Sequence, residues 1–379
     1  MIDPSHFVEH LGSQGVTLYT GVPDSLLKQL GSYIMAELPR EQHIITANEG
    51  AAVAIAMGHY LRTSTPAVVY LQNSGIGNAI NPLMSLADRE VYGTPMIVVV
   101  GWRGRPGVKD EPQHVKQGRI MTELLDALDL PWVMLPQNPD EADAAMAAAV
   151  KTALDQHTPY VVLVEKGTFG DAGVSLPEIP GTANLPSRED ALITAADAVG
   201  PDAVIVATTG MLSRELFEYR ERAGLPGERD FLTVGGMGHA SSIALGIALR
   251  EPEREVWCFD GDGALLMHLG SLAVIADQAP PNYRHLVFNN QVHDSVGGQP
   301  TAVNVVDVAA AARALGYNYA ASVSEVGSIV GAVAELRAHD GPVLLELKVR
   351  PGSRPGIGRP TRTPAQSKRA FMDALRPDQ

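Results

Sequence analysis

Cys258-Phe259-Asp260-Gly261-Asp262-Gly263-Ala264 ends one apolar run and begins another. The run before it, residues 255–259, has the length and flanks of a buried parallel strand. The run after it, residues 264–278, reads as an apolar helix. A strand that turns directly into a helix fits a doubly wound α/β sheet, whose strand carboxyl ends face the ligand crevice. Gly261 and Gly263 let the backbone approach a ligand closely. The helix start near Ala264 offers free N–H groups and a partial positive charge, which suit a diphosphate. Asp262 supplies a hard carboxylate oxygen of the kind Mg²⁺ takes. Residues 285–288 form the next strand and end in Asn289-Asn290. One β–α–β crossover therefore brings Asp262 and the Asn pair to the same edge of neighbouring strands, where a cation between them could bridge a diphosphate. Taken alone, Gly-Asp-Gly is also a tight turn with an Asp cap. The Asn pair one helix and one strand later makes the pattern specific.

Outward from this segment, strand and helix alternate along the chain, which predicts parallel sheets covered on both faces. In the first half the strands are expected at 67–71, 95–101 and 160–165, with helices at 49–61, 115–128 and 140–154. In the second half strands are expected at 203–207, 255–259, 285–288 and 342–347. The helices there are expected at 213–223, 240–249, 264–278, 306–315 and 325–338. Residues 170–186 are rich in Gly and Pro and without periodicity, the composition of a linker. The division is therefore a domain at 1–170, a linker at 171–186 and a domain at 187–379. The tail at 350–364, rich in Arg, Gly and Pro, should be irregular.

The 379 residues are 45 % hydrophobic and 19 % charged, a globular composition with room for two domains. A net charge of −14 argues against nucleic-acid or anionic-membrane binding. With Cys258 as the sole cysteine, no intrachain disulfide and no multi-cysteine metal site can form. The polar N-terminal stretch lacks a signal-peptide core, and no apolar run is long enough to span a bilayer. A cytoplasmic setting is the expectation.

Gly-Asp-Gly followed by Asn-Asn resembles the motif of the thiamine diphosphate enzyme family. That family holds its cofactor between a pyrimidine-binding and a diphosphate-binding domain. The resemblance implies that the second half is the diphosphate domain, with Gly261, Asp262, Gly263 and Ala264 at the cofactor. It also implies Mg²⁺ bound by Asp262, Asn290 and the backbone carbonyl of Val292. The first half then carries the pyrimidine domain, whose signature acid matches Glu49 in Thr46-Ala47-Asn48-Glu49-Gly50. Glu49 alone could equally be a helix-start carboxylate favoured by the dipole. In the family this glutamate hydrogen-bonds a ring nitrogen of the aminopyrimidine and so activates the cofactor. Gly235, Met237 and Gly238 resemble the loop that grips the aminopyrimidine. Ser74, in Asn73-Ser74-Gly75-Ile76-Gly77, matches a loop near that ring. Thr209 and Gly210 follow a strand and could touch the diphosphate or simply form a turn.

Pyruvate-type members usually carry a central domain for which this chain has no room. Gly21-Val22-Pro23-Asp24-Ser25-Leu26-Leu27-Lys28 and nearly all of 72–119 resemble a compact branch, the phosphonopyruvate decarboxylases. The second-half segments TTGMLSRELF, GDGALLMHLGSL and NNQVHDSVGGQPT agree, as does GRPTRTP in the tail. The departures are Gln291, where the branch has Gly, and a more broken segment before Gly358-Arg359-Pro360. The branch implies decarboxylation of phosphonopyruvate in phosphonate biosynthesis, by a homodimer or larger homo-oligomer with active sites between subunits. A doubly anionic substrate on so acidic a protein needs local cations. Arg103, Arg105, Lys109, His114, Lys116 and Arg119 form one basic segment; Arg354, Arg359 and Arg362 form another. Arg103, Lys109 and His114 are the first candidates for the substrate, and Asp24, Ser25 and His293 for proton handling or positioning. Three other readings stay open: a sulfopyruvate decarboxylase, a nucleotide-dependent oxidoreductase, and a cofactor-binding regulator without catalysis. No strand leads into a dinucleotide-binding glycine motif, which counts against the second. The intact Glu49 counts against the third.

Overall fold

The computed structural model describes residues 1–376, so the last three residues of the expected 187–379 domain lie outside it. The chain divides into two compact units, Met1–Glu178 and Ile179–Gln379. Each contains one six-stranded sheet, parallel throughout.

In the first unit the strands are β1 Tyr19–Gly21, β2 His43–Ile45, β3 Val68–Gln72, β4 Met96–Gly101, β5 Trp132–Met134 and β6 Pro159–Val164. Their order across the sheet is β2-β1-β3-β4-β6-β5. Alternate residues feed opposite cores, as the two-residue period of a strand requires. Val68, Tyr70, Ile97 and Val99 pack under the helices Pro4–Ser13 and Pro139–Gln156. Val69, Leu71, Val98 and Val100 pack under Glu49–Thr63 and Met121–Ala127. Both faces are dry, which is why these strands read as continuous apolar runs.

In the second unit the strands are β7 Val204–Ala207, β8 Asp230–Leu232, β9 Val256–Gly261, β10 Tyr283–Asn289, β11 Tyr319–Val323 and β12 Val343–Lys348. Their order is β11-β12-β10-β9-β7-β8. Read from the other edge, this is the same winding as in the first unit. In each sheet the first strand is followed by one neighbour on one side and by the next on the other. That reversal opens a crevice beyond the carboxyl ends of the strands. It falls between β1 and β3 in one sheet and between β7 and β9 in the other.

The expected strands all form, within two or three residues at their ends. The three-residue strands β1, β2, β5 and β8, and the half-exposed β11, were not foreseen. They are too short or too wet to carry a hydrophobic period. The helices Pro4–Ser13, Lys28–Glu37, Ile76–Pro82, Arg188–Val199 and Pro364–Ala374 were also not foreseen. Two expected helices are each broken in two. Residues 115–128 become Pro112–Arg119 and Met121–Ala127. Residues 264–278 become Asp262–Met267 and Ser271–Gln278, so the helix also begins two residues earlier than expected. At the second break the backbone of Gly238 passes close to the ring of His268: a Cβ there would lie 2.5 Å from Cδ2. Among the described residues no helix is long and apolar enough to cross a membrane.

Candidate cofactor and substrate site

In the first unit the candidate residues gather at the carboxyl ends of β1 to β4. Asn48 caps the helix that follows β2, its side chain accepting from the Gly50 N–H at 2.8 Å. That cap makes Glu49 the first helical residue. Glu49 is only 6 % exposed, and its Oε2 accepts from Asn78 Nδ2 at 2.7 Å. Burial raises its pKa against the pull of that hydrogen bond. Gly75, after β3, is what makes room for it: a Cβ at Gly75 would lie 2.3 Å from Glu49 Oε1. The neighbouring Ser74 hydroxyl accepts from Gln72 Nε2 at 2.8 Å.

Asp24 follows β1 and is fully buried, with Oδ2 accepting from the Leu26 N–H at 2.8 Å and Oδ1 unpartnered. Burial pushes its pKa up to about 6, only partly offset by that N–H and by Arg103. Arg103, after β4, donates from Nη1 to Ser25 Oγ at 2.9 Å. Its Nε and Nη2 reach Asp110 at 2.8 and 2.5 Å. Asp110 also accepts from the N–H groups of Gly104 and Glu111, and these donors outweigh burial and hold its carboxyl well below the usual range. Asp24, Ser25 and Arg103 are therefore brought together, with Asp110 as a partner that sequence reading missed. His114 is buried nearby on Pro112–Arg119, and burial and then the Arg103 charge lower its pKa.

The other basic residues lie differently. Lys109, Lys116 and Arg119 are exposed, and Arg105 pairs with Glu165. The basic segment thus ends in the helix Pro112–Arg119, and its Arg103 is already paired with Asp110. Arg354 pairs with Glu189 and Glu218, Arg362 with Glu228, and Arg359 is also engaged.

In the second unit the register pairs Gly261 of β9 with Phe288 of β10, so Asp262 and Asn289 leave the sheet side by side. Asp262 is 2 % exposed, and its Oδ2 accepts from Thr301 Oγ1 at 2.5 Å. It has no ion-pair partner among the described residues, and burial pushes its pKa up to about 6. A buried carboxylate without a cation is costly, and a divalent metal would supply what is missing. Asn290 is buried; its Oδ1 accepts from the Val292 N–H at 3.2 Å, and its Nδ2 donates to Asp294 at 2.7 Å. Gln291 between them has φ +64°, a conformation that favours glycine.

Three further segments meet this edge. A Cβ at Gly263 would lie 3.0 Å from the His293 ring and 3.3 Å from Met237 Cε. Met237 and His293 therefore close over Gly263, and a Cβ there would press on both. Gly238, at φ +83°, brings the 235–238 loop against the Ala264 carbonyl. At the end of β7, Gly210 (φ +101°) approaches Ser295, and Thr208 beside Thr209 approaches Gly261. His293 is held at about 4 by burial, so its ring is neutral at neutral pH.

Comparison with known proteins matches residues 5–130 to the thiamine pyrophosphate enzyme N-terminal TPP binding domain. Residues 208–347 match the C-terminal TPP binding domain of the same enzymes. A phosphonopyruvate decarboxylase of Streptomyces viridochromogenes is 39 % identical over 98 % of this chain and 94 % of its own. One of Streptomyces hygroscopicus is 36 % identical over the same shares. A sulfopyruvate decarboxylase of Methanosarcina acetivorans is 27 % identical over 97 % of this chain and 96 % of its own.

Proposed function

The chain belongs to the phosphonopyruvate decarboxylase family of thiamine diphosphate-dependent enzymes, and we propose that it converts 3-phosphonopyruvate to phosphonoacetaldehyde and CO₂. The observation that carries the substrate is the near-full-length likeness to two phosphonopyruvate decarboxylases, at 39 and 36 % identity against 27 % for the sulfopyruvate enzyme.

Thiamine diphosphate, when bound, supplies the nucleophilic carbon and the electron sink for decarboxylation. The residues of this chain hold and activate it. Asp262, Asn290 and the Val292 carbonyl would hold Mg²⁺, whose charge would offset that of the diphosphate; Thr301 orients the Asp262 carboxylate. The burial of Asp262, with no ion-pair partner among the described residues, supports that ligand set. The backbone at Gly261, Gly263, Ala264, Thr209 and Gly210 lines the diphosphate, and Gly235, Met237 and Gly238 support the ring. Glu49 would hydrogen-bond a ring nitrogen of the aminopyrimidine. Burial raises its pKa, the direction that favours sharing a proton there.

At the substrate, Arg103 faces the anion with Ser25 beside it, and Lys109 and His114 remain candidates. Asp24, its pKa raised to about 6, and His293, neutral at neutral pH, are the candidates to deliver or accept a proton at the product carbon. The reading includes at least a homodimer with shared active sites, in the cytoplasm.

The test is a product assay with thiamine diphosphate and Mg²⁺ on phosphonopyruvate, sulfopyruvate and pyruvate. Phosphonopyruvate should give by far the highest kcat/KM. Equal values for phosphonopyruvate and pyruvate would remove the case for a dedicated anion site. A higher value for sulfopyruvate would reassign the substrate.

A further inference from the structure

Asn290 can serve a metal only through its oxygen, and the two ends of an amide are nearly the same size. Something must set which end faces the cation. The structure surrounds this amide with groups that decide the question. Asp294 Oδ2 lies 2.7 Å from Asn290 Nδ2. An ionised carboxylate only accepts, so it can be met only by the NH₂ end. From the other side the Val292 N–H donates to Asn290 Oδ1 at 3.2 Å, which agrees with the same orientation.

Asp294 is itself held. Arg188 Nη1 donates to its Oδ2 at 2.7 Å, and the Gly352 N–H lies 3.0 and 3.2 Å from its two oxygens. Arg188 is clamped in turn by Glu215, through two hydrogen bonds of 2.9 Å each. The Arg188 and Glu215 side chains are 6 % and 1 % exposed, and Asp294 is 12 % exposed. Two carboxylates thus face one guanidinium in this buried cluster. Neither the cofactor motif nor the substrate candidates account for this buried network.

We propose that Asp294, anchored by Arg188, is a positioning residue that fixes the Asn290 amide with its oxygen toward the metal. The inference rests on the assignment of Asn290 as a ligand. Partners of this kind around metal ligands typically change metal affinity by about 10–100-fold when removed.

The test is Mn²⁺ binding at saturating thiamine diphosphate, read as free Mn²⁺ by electron paramagnetic resonance. Wild type, Asp262→Ala and Asp294→Ala are compared, together with apoprotein melting temperatures. Ala at 294 removes the acceptor that meets the Asn290 NH₂, so the lock is lost; Asn would keep an oxygen there, because Arg188 donates to the same Oδ2. Wild type should bind tightly, Asp262→Ala should not bind, and Asp294→Ala should bind about 10–100-fold more weakly. If Asp294→Ala does not fold, Asp294→Ser carries the same expectation. A merely structural role would lower the melting temperature and leave the Mn²⁺ dissociation constant of the folded variant unchanged. That result, with Asp262→Ala still inactive in binding, would overturn the inference alone. Wild-type affinity in Asp262→Ala would instead overturn the ligand assignment and the inference with it.

Discussion

Glu49 and Asp24 are two buried acids of the same sheet edge, and their environments give different tests. Glu49→Gln keeps the shape and the bond from Asn78 but cannot share a proton with the aminopyrimidine. It should fold and bind thiamine diphosphate while hydrogen–deuterium exchange at the cofactor C2 slows about a thousandfold, a barrier change of about 4 kcal/mol. A helix-start role alone would cost only about 0.3–1 kcal/mol of stability. Wild-type exchange, followed by NMR after acid quench, would therefore remove Glu49 from activation. For Asp24 the relevant quantity is stability. Well below the ordinary value of 3.8 its carboxyl is protonated whether the chain is folded or not. Between 3.8 and about 6, the unfolded chain releases the proton and the folded one keeps it. Native Asp24 thus lowers stability progressively as pH rises through that window, by up to about 3 kcal/mol. Asp24→Asn should raise the apoprotein melting temperature at pH 7 and leave it nearly unchanged at about pH 3. An equal shift at both would show that the carboxyl is not titrating as placed.

The loop that leaves β10 is the element where this chain departs from its branch. Gln291 stands in the left-handed region at φ +64°, where a side chain costs roughly 1–2 kcal/mol and glycine costs less. The Gly expected there is thus a statement about backbone conformation. Gln291→Gly should hold or raise the melting temperature, by up to about 1 kcal/mol of stability once glycine's extra unfolded entropy is counted. A loss of more than that would mean the Gln291 side chain stabilises the loop in a way its backbone does not reveal. The same element closes on Gly263. Met237 and His293 arrive from a different loop and from beyond the next strand, and a Cβ at Gly263 would press on both, at 3.3 and 3.0 Å.

At the scale of the whole molecule, two sheets with the same winding each open a crevice beside a strand-order reversal. Both sets of candidate residues lie at such an edge. If the proposed metal ligands and Glu49 serve one cofactor, activity should depend on metal and thiamine diphosphate together. Chelation followed by dialysis should abolish decarboxylation, and adding both should restore it, whereas either alone should not. Full activity in a preparation shown by mass spectrometry to lack thiamine diphosphate would end the reading.

Local pattern was enough to reveal the alternating α/β architecture, the central strands, the acid at the start of Glu49–Thr63, and the Gly-Asp-Gly and Asn-Asn edge. Each is written in a few consecutive residues, by apolar runs that must be buried on both faces and by glycines at strand ends. The partners were not legible. Asn78 reaches Glu49 from 29 residues away, Thr301 reaches Asp262 from 39, and Arg188 reaches Asp294 from 106. Arg103 read as a free cation until Asp110, only seven residues on, folded back to neutralise it. Three-residue strands and broken helices escaped for the same reason. Their ends are set by which loops the topology brings to one edge, and by the burial and close approach that follow, not by any period in the chain.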